Sequence, residues 1–181
     1  MYCQCGTELD STASSCSNCG TEVNAKDSSG ELKVGTVISD KYEVLNLLGR
    51  GGMGEVYLAK DLQLERMIAI KTLSKELAGE GEHKARFIRE ARMASALNHP
   101  NILTVYEVGT FGSILFMASE YVEGQTLRQV IRVGPISLKD FLDIAIQAAQ
   151  GLAAAHEAGI IHRDLKLENF ILRQDGYLKV L

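Results

Sequence analysis

The sequence predicts an α+β fold in two lobes: a small antiparallel sheet with one inserted helix, then a mainly helical part. A short cysteine-bearing module precedes both. Three observations predict this. Between Tyr42 and Tyr121 lie five short runs rich in Val, Ile, Leu and Tyr, separated by turn residues. Helical spacing of apolar residues interrupts them once, over Glu82–Leu97. After Thr126 the order is mostly helix. Strands and helices that segregate in this way suit two lobes better than an alternating, doubly wound sheet.

The elements follow in order. Tyr42–Gly49, Glu55–Lys60 and Met67–Leu73 read as the first three strands. In the helix over Glu82–Leu97, Phe87, Ile88, Ala91, Ala94 and Leu97 fall on one face, and His99-Pro100-Asn101 ends it, because the residue before proline disfavours helical backbone. Ile102–Val108 and Ile114–Tyr121 are two more strands around the Gly109–Gly112 turn. A second helix begins near Leu127, after Thr126. The longest helix covers Leu138–Ala158. Ser137 is its N-cap, Asp140 supplies an acidic variant of the capping box, and Gly159 is its left-handed stop. Phe170–Leu172, the Asp175-Gly176 turn and Tyr177–Val180 form a closing hairpin.

The chain has 181 residues, enough for one ordinary domain and a small module, and no internal repeat. Its 46% hydrophobic and 23% charged residues exclude a disordered polymer. A formal net charge of −4 gives no footprint for nucleic acid. No apolar run reaches the roughly 18 residues of a membrane span, and the N-terminus lacks the basic stretch and apolar core of a signal peptide. These features predict a cytoplasmic protein.

Gly49-Arg50-Gly51-Gly52-Met53-Gly54-Glu55-Val56, preceded by Leu48, has the spacing G-x-G-x-x-G-x-V. Glycines let a backbone approach phosphate oxygens closely, since no Cβ intervenes. A dinucleotide-binding fingerprint has similar glycines but opens a helix, whereas these lead into a strand. By itself the pattern also fits an ordinary glycine-rich hairpin. On the third strand, Ile68-Ala69-Ile70-Lys71 sets one lysine on a buried-looking run, where a desolvated ammonium needs an anion. Glu90, beside the apolar face of the inserted helix, is the candidate partner, with a solvated Glu90 paired to Arg86 or Arg89 as the alternative.

Further on, His162-Arg163-Asp164-Leu165-Lys166-Leu167-Glu168-Asn169 matches H-R-D-L-x-x-x-N at every fixed position. With the glycine loop, Lys71 and Glu90 in order on suitable elements, the chain resembles the serine/threonine protein kinases, and its wording is similar to the eukaryotic-like kinases of bacteria. The resemblance covers about Tyr42–Leu181 and implies the bilobal kinase fold and the cofactors ATP and Mg²⁺. It implies that Lys71 holds the α- and β-phosphates and that Glu90 orients it. Val56 and Ala69 roof the adenine, Ile171 floors it, and main-chain groups of Glu120 and Val122 in Glu120-Tyr121-Val122-Glu123-Gly124 bind it. Ser119 then guards the pocket behind the adenine. Asp164 orients the substrate hydroxyl, Lys166 neutralises charge on the γ-phosphoryl group, and Asn169 is a magnesium ligand. Lys166, two residues after the aspartate, favours Ser or Thr of proteins as substrate. Leu167 stands where the family commonly has proline.

No Asp-Phe-Gly occurs in the sequence, although the family has it just after the hairpin and takes its main magnesium aspartate from it. The expectation is therefore an N-terminal portion of a kinase domain, inactive by itself, with part of the long helix's apolar surface unpartnered. The alternative from another class is a non-catalytic nucleotide-binding or scaffolding protein.

All four cysteines lie in the first twenty residues. Cys3-Gln4-Cys5-Gly6 and Cys16-Ser17-Asn18-Cys19-Gly20 resemble the two knuckles of a zinc ribbon, each pair closing half of a tetrahedral structural site. The first pair is one residue shorter than the usual spacing, and unligated thiols or a disulfide are the alternatives. The expected organisation is a zinc ribbon over residues 1–24, a linker over 25–36 and the kinase-like domain over 37–181.

Overall fold

The computed structural model describes residues 18–19, 32–51, 54–74 and 81–181; the side chains of residues 81, 82, 90, 93 and 94 lie outside the description. Contacts divide the chain between Glu31 and Leu32 into two units. The second unit, Leu32–Leu181, holds every strand and helix of the described residues. Its first sheet is made of β1 (Val37–Ile38), β2 (Tyr42–Gly51), β3 (Gly54–Asp61), β4 (Arg66–Thr72), β5 (Val105–Phe111) and β6 (Ile114–Glu120), with helix α1 (Gly81–Ser95) between β4 and β5. The sheet order is β1-β2-β3-β4-β6-β5, antiparallel at every step.

Alternation along these strands builds the core. Tyr57 and Ala59 of β3, Ile68 and Ile70 of β4, and Phe116 and Ala118 of β6 all turn to one face, where they join Ile38, Tyr42 and Val44. Ile68, Ile70, Phe116 and Ala118 are fully shut off from water. Burying one such large side chain stabilises the fold by about 1.5–3 kcal/mol. Tyr42 meets the Phe116 ring edge-on, with centroids 6.3 Å apart. Leu32 also belongs to this core, and the strap after it is bonded to β2, Gly35 N–H to Val44 O and Val44 N–H to Thr36 O. Packing thus begins upstream of Val37, because Leu32 supplies an apolar anchor inside a stretch that reads as linker.

Two departures from the predicted elements have local causes. Helix α1 buries Phe87 and Ala91, but ends at Ser95 rather than Leu97. The Ser95 hydroxyl donates to the Arg92 carbonyl at 2.8 Å, a local bond that competes with the helical ladder. The strand expected from Ile102 starts only at Val105. Residues 101–103 instead bond to a strand far along the chain: Leu103 N–H donates to Val180 O and Val180 N–H to Asn101 O, both at 2.8 Å.

The second part contains β7 (Gly124–Thr126), α2 (Leu127–Val133), α3 (Leu138–Glu157), a 3₁₀ turn (Leu167–Asn169), β8 (Phe170–Arg173) and β9 (Leu178–Val180). Strands β7, β8 and β9 make a second antiparallel sheet. The hairpin β8–β9 is the expected one. Strand β7 has too few apolar residues to signal itself. Thr126 caps α2 reciprocally with Gln129. Ser137 caps α3, accepting from Asp140 N–H at 3.1 Å; its hydroxyl donates to the Asp140 carboxylate, so the second half of a capping box does not form between backbone and side chain. At the other end Gly159 has φ +75° and Ile160 N–H reaches Ala155 O.

Helix α3 packs Ile144 against Leu127 and Leu178, and Gly151 passes so close to Asn101 that an added Cβ would lie 3.1 Å from its carbonyl oxygen. Its Leu138, Phe141, Leu142 and Ile146 are exposed, in keeping with the unpartnered apolar surface expected of this helix. Among the described residues no helix is long and apolar enough to cross a membrane.

Candidate active site

Directly opposed residues of an antiparallel pair share a face, and the face away from the core carries the candidate nucleotide residues. Val56 opposes Lys71 and Leu58 opposes Ala69 across β3–β4; Lys71 opposes Met117 and Ala69 opposes Ser119 across β4–β6. Val56, Ala69, Lys71 and Met117 are half-buried, while Ser119 is buried. Lys71 is therefore not sunk in the core, as its apolar neighbours suggested. It stands on the open face of a sheet whose other face is closed, where an anion can reach it. Glu90, its expected partner, lies on α1, but its side chain is outside the described residues.

The glycine loop continues the β2–β3 ribbon, with Gly49 opposite Val56, Arg50 opposite Glu55 and Gly51 opposite Gly54. Gly54 has φ +147°, and an added Cβ would fall 1.8 Å from Thr72 O, so only glycine fits. Leu48 is exposed on the same ribbon. Gly52 and Met53, at its tip, lie outside the described residues. The Arg50 side chain pairs with Glu55 at 2.8 Å, on the side of the ribbon that continues the core face. The structure therefore does not bring this side chain to the open face.

The second set of residues sits on one loop ahead of β8. Arg163 has φ +63°, unusual for a non-glycine residue, and this kink turns the chain back on itself. His162 braces it. Asp164 N–H donates to His162 Nδ1 at 3.2 Å, which leaves Nε2 as the protonated nitrogen, donating to Leu181 O at 2.6 Å. The Asp164 carboxylate takes the Lys166 ammonium at 2.8 Å and the Asn169 amide at 3.2 Å; that amide also donates to Asp164 O at 2.7 Å. The Lys166 bond, then the Asn169 bond, hold the Asp164 carboxyl below the usual carboxylate range. Asp164 is thus an ionised acceptor open to solvent. Because the Asn169 nitrogen is the donor, its Oδ1 remains an oxygen of the kind a hard cation takes.

A family model described as the protein kinase domain matches residues 42–181. The chain belongs to the protein kinase family. It is 43% identical over 150 residues to the serine/threonine-protein kinase PrkC of Bacillus subtilis, a match covering 82% of this chain and 23% of that protein. It is 42% identical over 149 residues to the serine/threonine-protein kinase PknB of Mycolicibacterium smegmatis, covering 80% of this chain and 24% of that one. Among solved structures it resembles the PknI kinase domain of Mycobacterium tuberculosis, with TM-score 0.73 and 32% identity over 83% of this chain and 60% of that chain. The apo form of PpkA-294 matches with TM-score 0.74 and 26% identity, covering 84% and 61%. The chain thus spans about a quarter of the curated relatives' length. These relatives are bacterial serine/threonine-protein kinases, and the chain shares the bilobal fold of the solved kinase domains.

In this kinase domain, the segment joining the lobes is held at Glu120. Its N–H donates to Thr104 O at 2.9 Å, and its carbonyl accepts from the Ser119 hydroxyl at 3.4 Å. Its carboxylate accepts from Thr104 N–H and from Lys179 Nζ, each at 2.7 Å, and Lys179 also donates to Ile102 O at 3.2 Å. Val122 is buried two residues on. Lys179 lies directly across β8–β9 from Ile171, so its ammonium ties β9 to the Glu120 segment. Asn101 reinforces the same junction, donating to Gln147 and to Leu178 O. Sequence reasoning passed over both residues. The signal for Lys179 was a lone lysine between two apolar residues in a short strand. Of the cysteine set, Cys19 is exposed; Cys3, Cys5 and Cys16 lie outside the described residues.

Proposed function

We propose that the protein transfers the γ-phosphoryl group of ATP to serine or threonine hydroxyls of protein substrates. The observation that carries this reading is the constellation of Asp164, Lys166 and Asn169: one exposed, ionised carboxylate held by an ammonium and by an amide N–H. Phosphoryl transfer asks a protein mainly for positioning and charge neutralisation. Asp164 accepts the hydrogen bond of the incoming hydroxyl and aims its oxygen. Lys166, drawn to Asp164 in this structure, lies where it can also meet a phosphoryl oxygen. Asn169 presents Oδ1 to a cation. Mg²⁺, when bound with ATP, supplies charge neutralisation for the phosphates. The glycine ribbon offers main-chain N–H groups, and Gly54 lets it run close against the Thr72 main chain, where a Cβ would collide. Lys71 on the open face binds the α- and β-phosphates, with Glu90 as its orienting partner. Val56 and Ala69 above and Ile171 below enclose the adenine, and the Glu120 carbonyl and Val122 main chain bind its edge.

The reading places the domain in the cytoplasm, where ATP is supplied and thiols stay reduced. It also assigns Cys3, Cys5, Cys16 and Cys19 to a structural Zn²⁺, on the chemistry of four thiolates in two short-spaced pairs. Metal analysis should find one zinc per chain in the native protein and a loss in Cys16→Ser/Cys19→Ser. The kinase assignment is tested by Asp164→Ala in the full-length protein. Turnover should fall by a factor of about 10³ or more, with the melting temperature held, because the carboxylate is exposed and supports no core. Undiminished phosphorylation by that variant would sink the assignment.

A further inference from the structure

The glycine loop is backed by a chain of contacts that starts outside the sheet. Glu55, the first residue after the last loop glycine, divides its carboxylate between two partners. Oε1 pairs with Arg50 Nε at 2.8 Å, across the ribbon inside the loop, and Oε2 accepts from the Tyr57 hydroxyl. That hydroxyl accepts in turn from the Leu32 N–H at 3.1 Å. Tyr57 and Leu32 are both buried in the core of the sheet, and the Glu55 side chain is only 15% exposed. The Glu55 main chain is held as well, its carbonyl accepting from Thr72 Oγ1 at 3.4 Å.

These groups cannot touch a nucleotide on the open face. Glu55 lies two residues before Tyr57 on the same strand, so both project to the core side, opposite to Val56 and Lys71. What they can do is fix the loop from behind. The described residues here, 49–51 and 54–55, pair as a ribbon containing Gly49, Gly51 and Gly54, which have no side chains to contribute. The Arg50–Glu55 pair is the side-chain brace across that ribbon. Tyr57 sets the direction of the Glu55 carboxylate, and the strap at Leu32 sets the direction of the Tyr57 hydroxyl.

We propose that Glu55 is a positioning residue for nucleotide binding, and that Tyr57 and the strap at Leu32 are its support, so that the segment entering the sheet from the N-terminal side sets how well the glycine loop grips phosphate. The proposal rests on the kinase reading for the identity of the ligand. Its effect belongs in ATP affinity rather than in the chemical step, because the brace touches neither the hydroxyl substrate nor residues 164–169.

The experiment compares Tyr57→Phe, Glu55→Gln, Glu55→Ala, Arg50→Ala and the Glu55→Ala/Arg50→Ala double variant in the full-length protein. It reads KM for ATP, kcat, melting temperature and direct binding of a fluorescent ATP analogue. Tyr57→Phe keeps the ring in the core and removes only the hydroxyl; it should raise KM for ATP about three- to ten-fold with kcat within about two-fold. Glu55→Ala should exceed that, Glu55→Gln should recover part of the loss, and the double variant should be no worse than Glu55→Ala alone. Lowered melting temperatures with unchanged KM and analogue affinity would show a merely structural role and overturn the proposal. So would additive losses in the double variant. If the wild type binds the analogue but transfers no phosphate, the kinase reading fails, and the same ranking of analogue affinities still decides whether Glu55 positions the loop.

Discussion

In the six-stranded sheet, Val56, Ala69 and Lys71 are placed by strand register over a floor of Ile68, Ile70, Phe116 and Ala118 that water does not reach. Asp164, Lys166 and Asn169 have no such floor, and their loop meets an apolar cluster only at Leu167 among its described contacts. Asp164 and Lys166 are 63% and 50% exposed at the side chain, and the loop keeps its shape through hydrogen bonds among His162, Asp164, Lys166 and Asn169 around the kink at Arg163. One half of the site is positioned by packing and the other by polar bonds in water. Packing is cooperative, so damage to it spreads through the lobe. A solvated polar network is local, so damage to it should appear in function first.

The sharpest way to break this contrast is to cut each region once and read the same quantity. Phe116→Ala removes a fully buried ring that meets Tyr42, and should cost about 3–5 kcal/mol of unfolding free energy. Asn169→Ala removes two hydrogen bonds to Asp164 on an exposed loop, and should cost no more than about 1–1.5 kcal/mol. Phosphorylation should nevertheless fall further for Asn169→Ala, measured on the fraction still folded. Equal stability losses in denaturant titrations would show that the loop is packed after all.

A second test addresses the seam between the regions. Lys179 and Glu120 are 10% and 19% exposed at the side chain and join β9 to the end of β6. Lys179→Met leaves the Glu120 carboxylate with the Thr104 N–H as its remaining partner and should cost of order 3 kcal/mol, because a nearly buried charge loses its counter-ion. Adding Glu120→Gln to Lys179→Met should recover part of that loss. If the double variant is as damaged as the sum of the singles, the pair is not coupled and the seam is held by apolar contacts alone.

Why some of this was legible in the sequence follows from the same contrast. Register and closed faces are written in alternation, so β3, β4 and β6 could be read from Val56-Tyr57-Leu58-Ala59 and Ile68-Ala69-Ile70-Lys71. The 162–169 loop was readable for a different reason: its chemistry restricts each residue type, so identity and spacing carried the signal. What escaped were features whose partners are remote in sequence. Ile102 and Leu103 look like the start of a strand because they are apolar, yet the bonds of Asn101 and Leu103 go to Val180. Leu32 looks like linker because a single apolar residue has no period. Arg50 belongs to the nucleotide-binding loop by its place in the sequence, and only the cross-strand position of Glu55 shows that its side chain turns away.

The smallest expected effect lies on the far strand of the sheet, where a polar cluster resembles the catalytic loop more than the core beneath it. Lys41 Nζ approaches Glu107 at 2.6 Å, and the Tyr42 hydroxyl donates to the same carboxylate oxygen at 2.8 Å. The bond from Lys41, then that from Tyr42, keeps Glu107 below the ordinary carboxylate range; Glu107, then Tyr42, keeps Lys41 above the ordinary lysine range. A lowered carboxylate contributes stability above its unfolded pKa and loses it as pH falls through the folded one. A raised lysine contributes below its unfolded pKa and loses it as pH rises through the folded one. The cluster should therefore act between roughly pH 4.3 and 10.4 and fade outside that window. With side chains 31% and 38% exposed, solvent screening should hold its worth to under about 1 kcal/mol. The stability difference between wild type and Glu107→Gln should be level from about pH 5 to 9, shrink below about pH 4, and fall when salt is raised. A difference that stays the same at about pH 3 would mean that Glu107 contributes through packing, and that this edge of the sheet follows the core rather than the solvated loop.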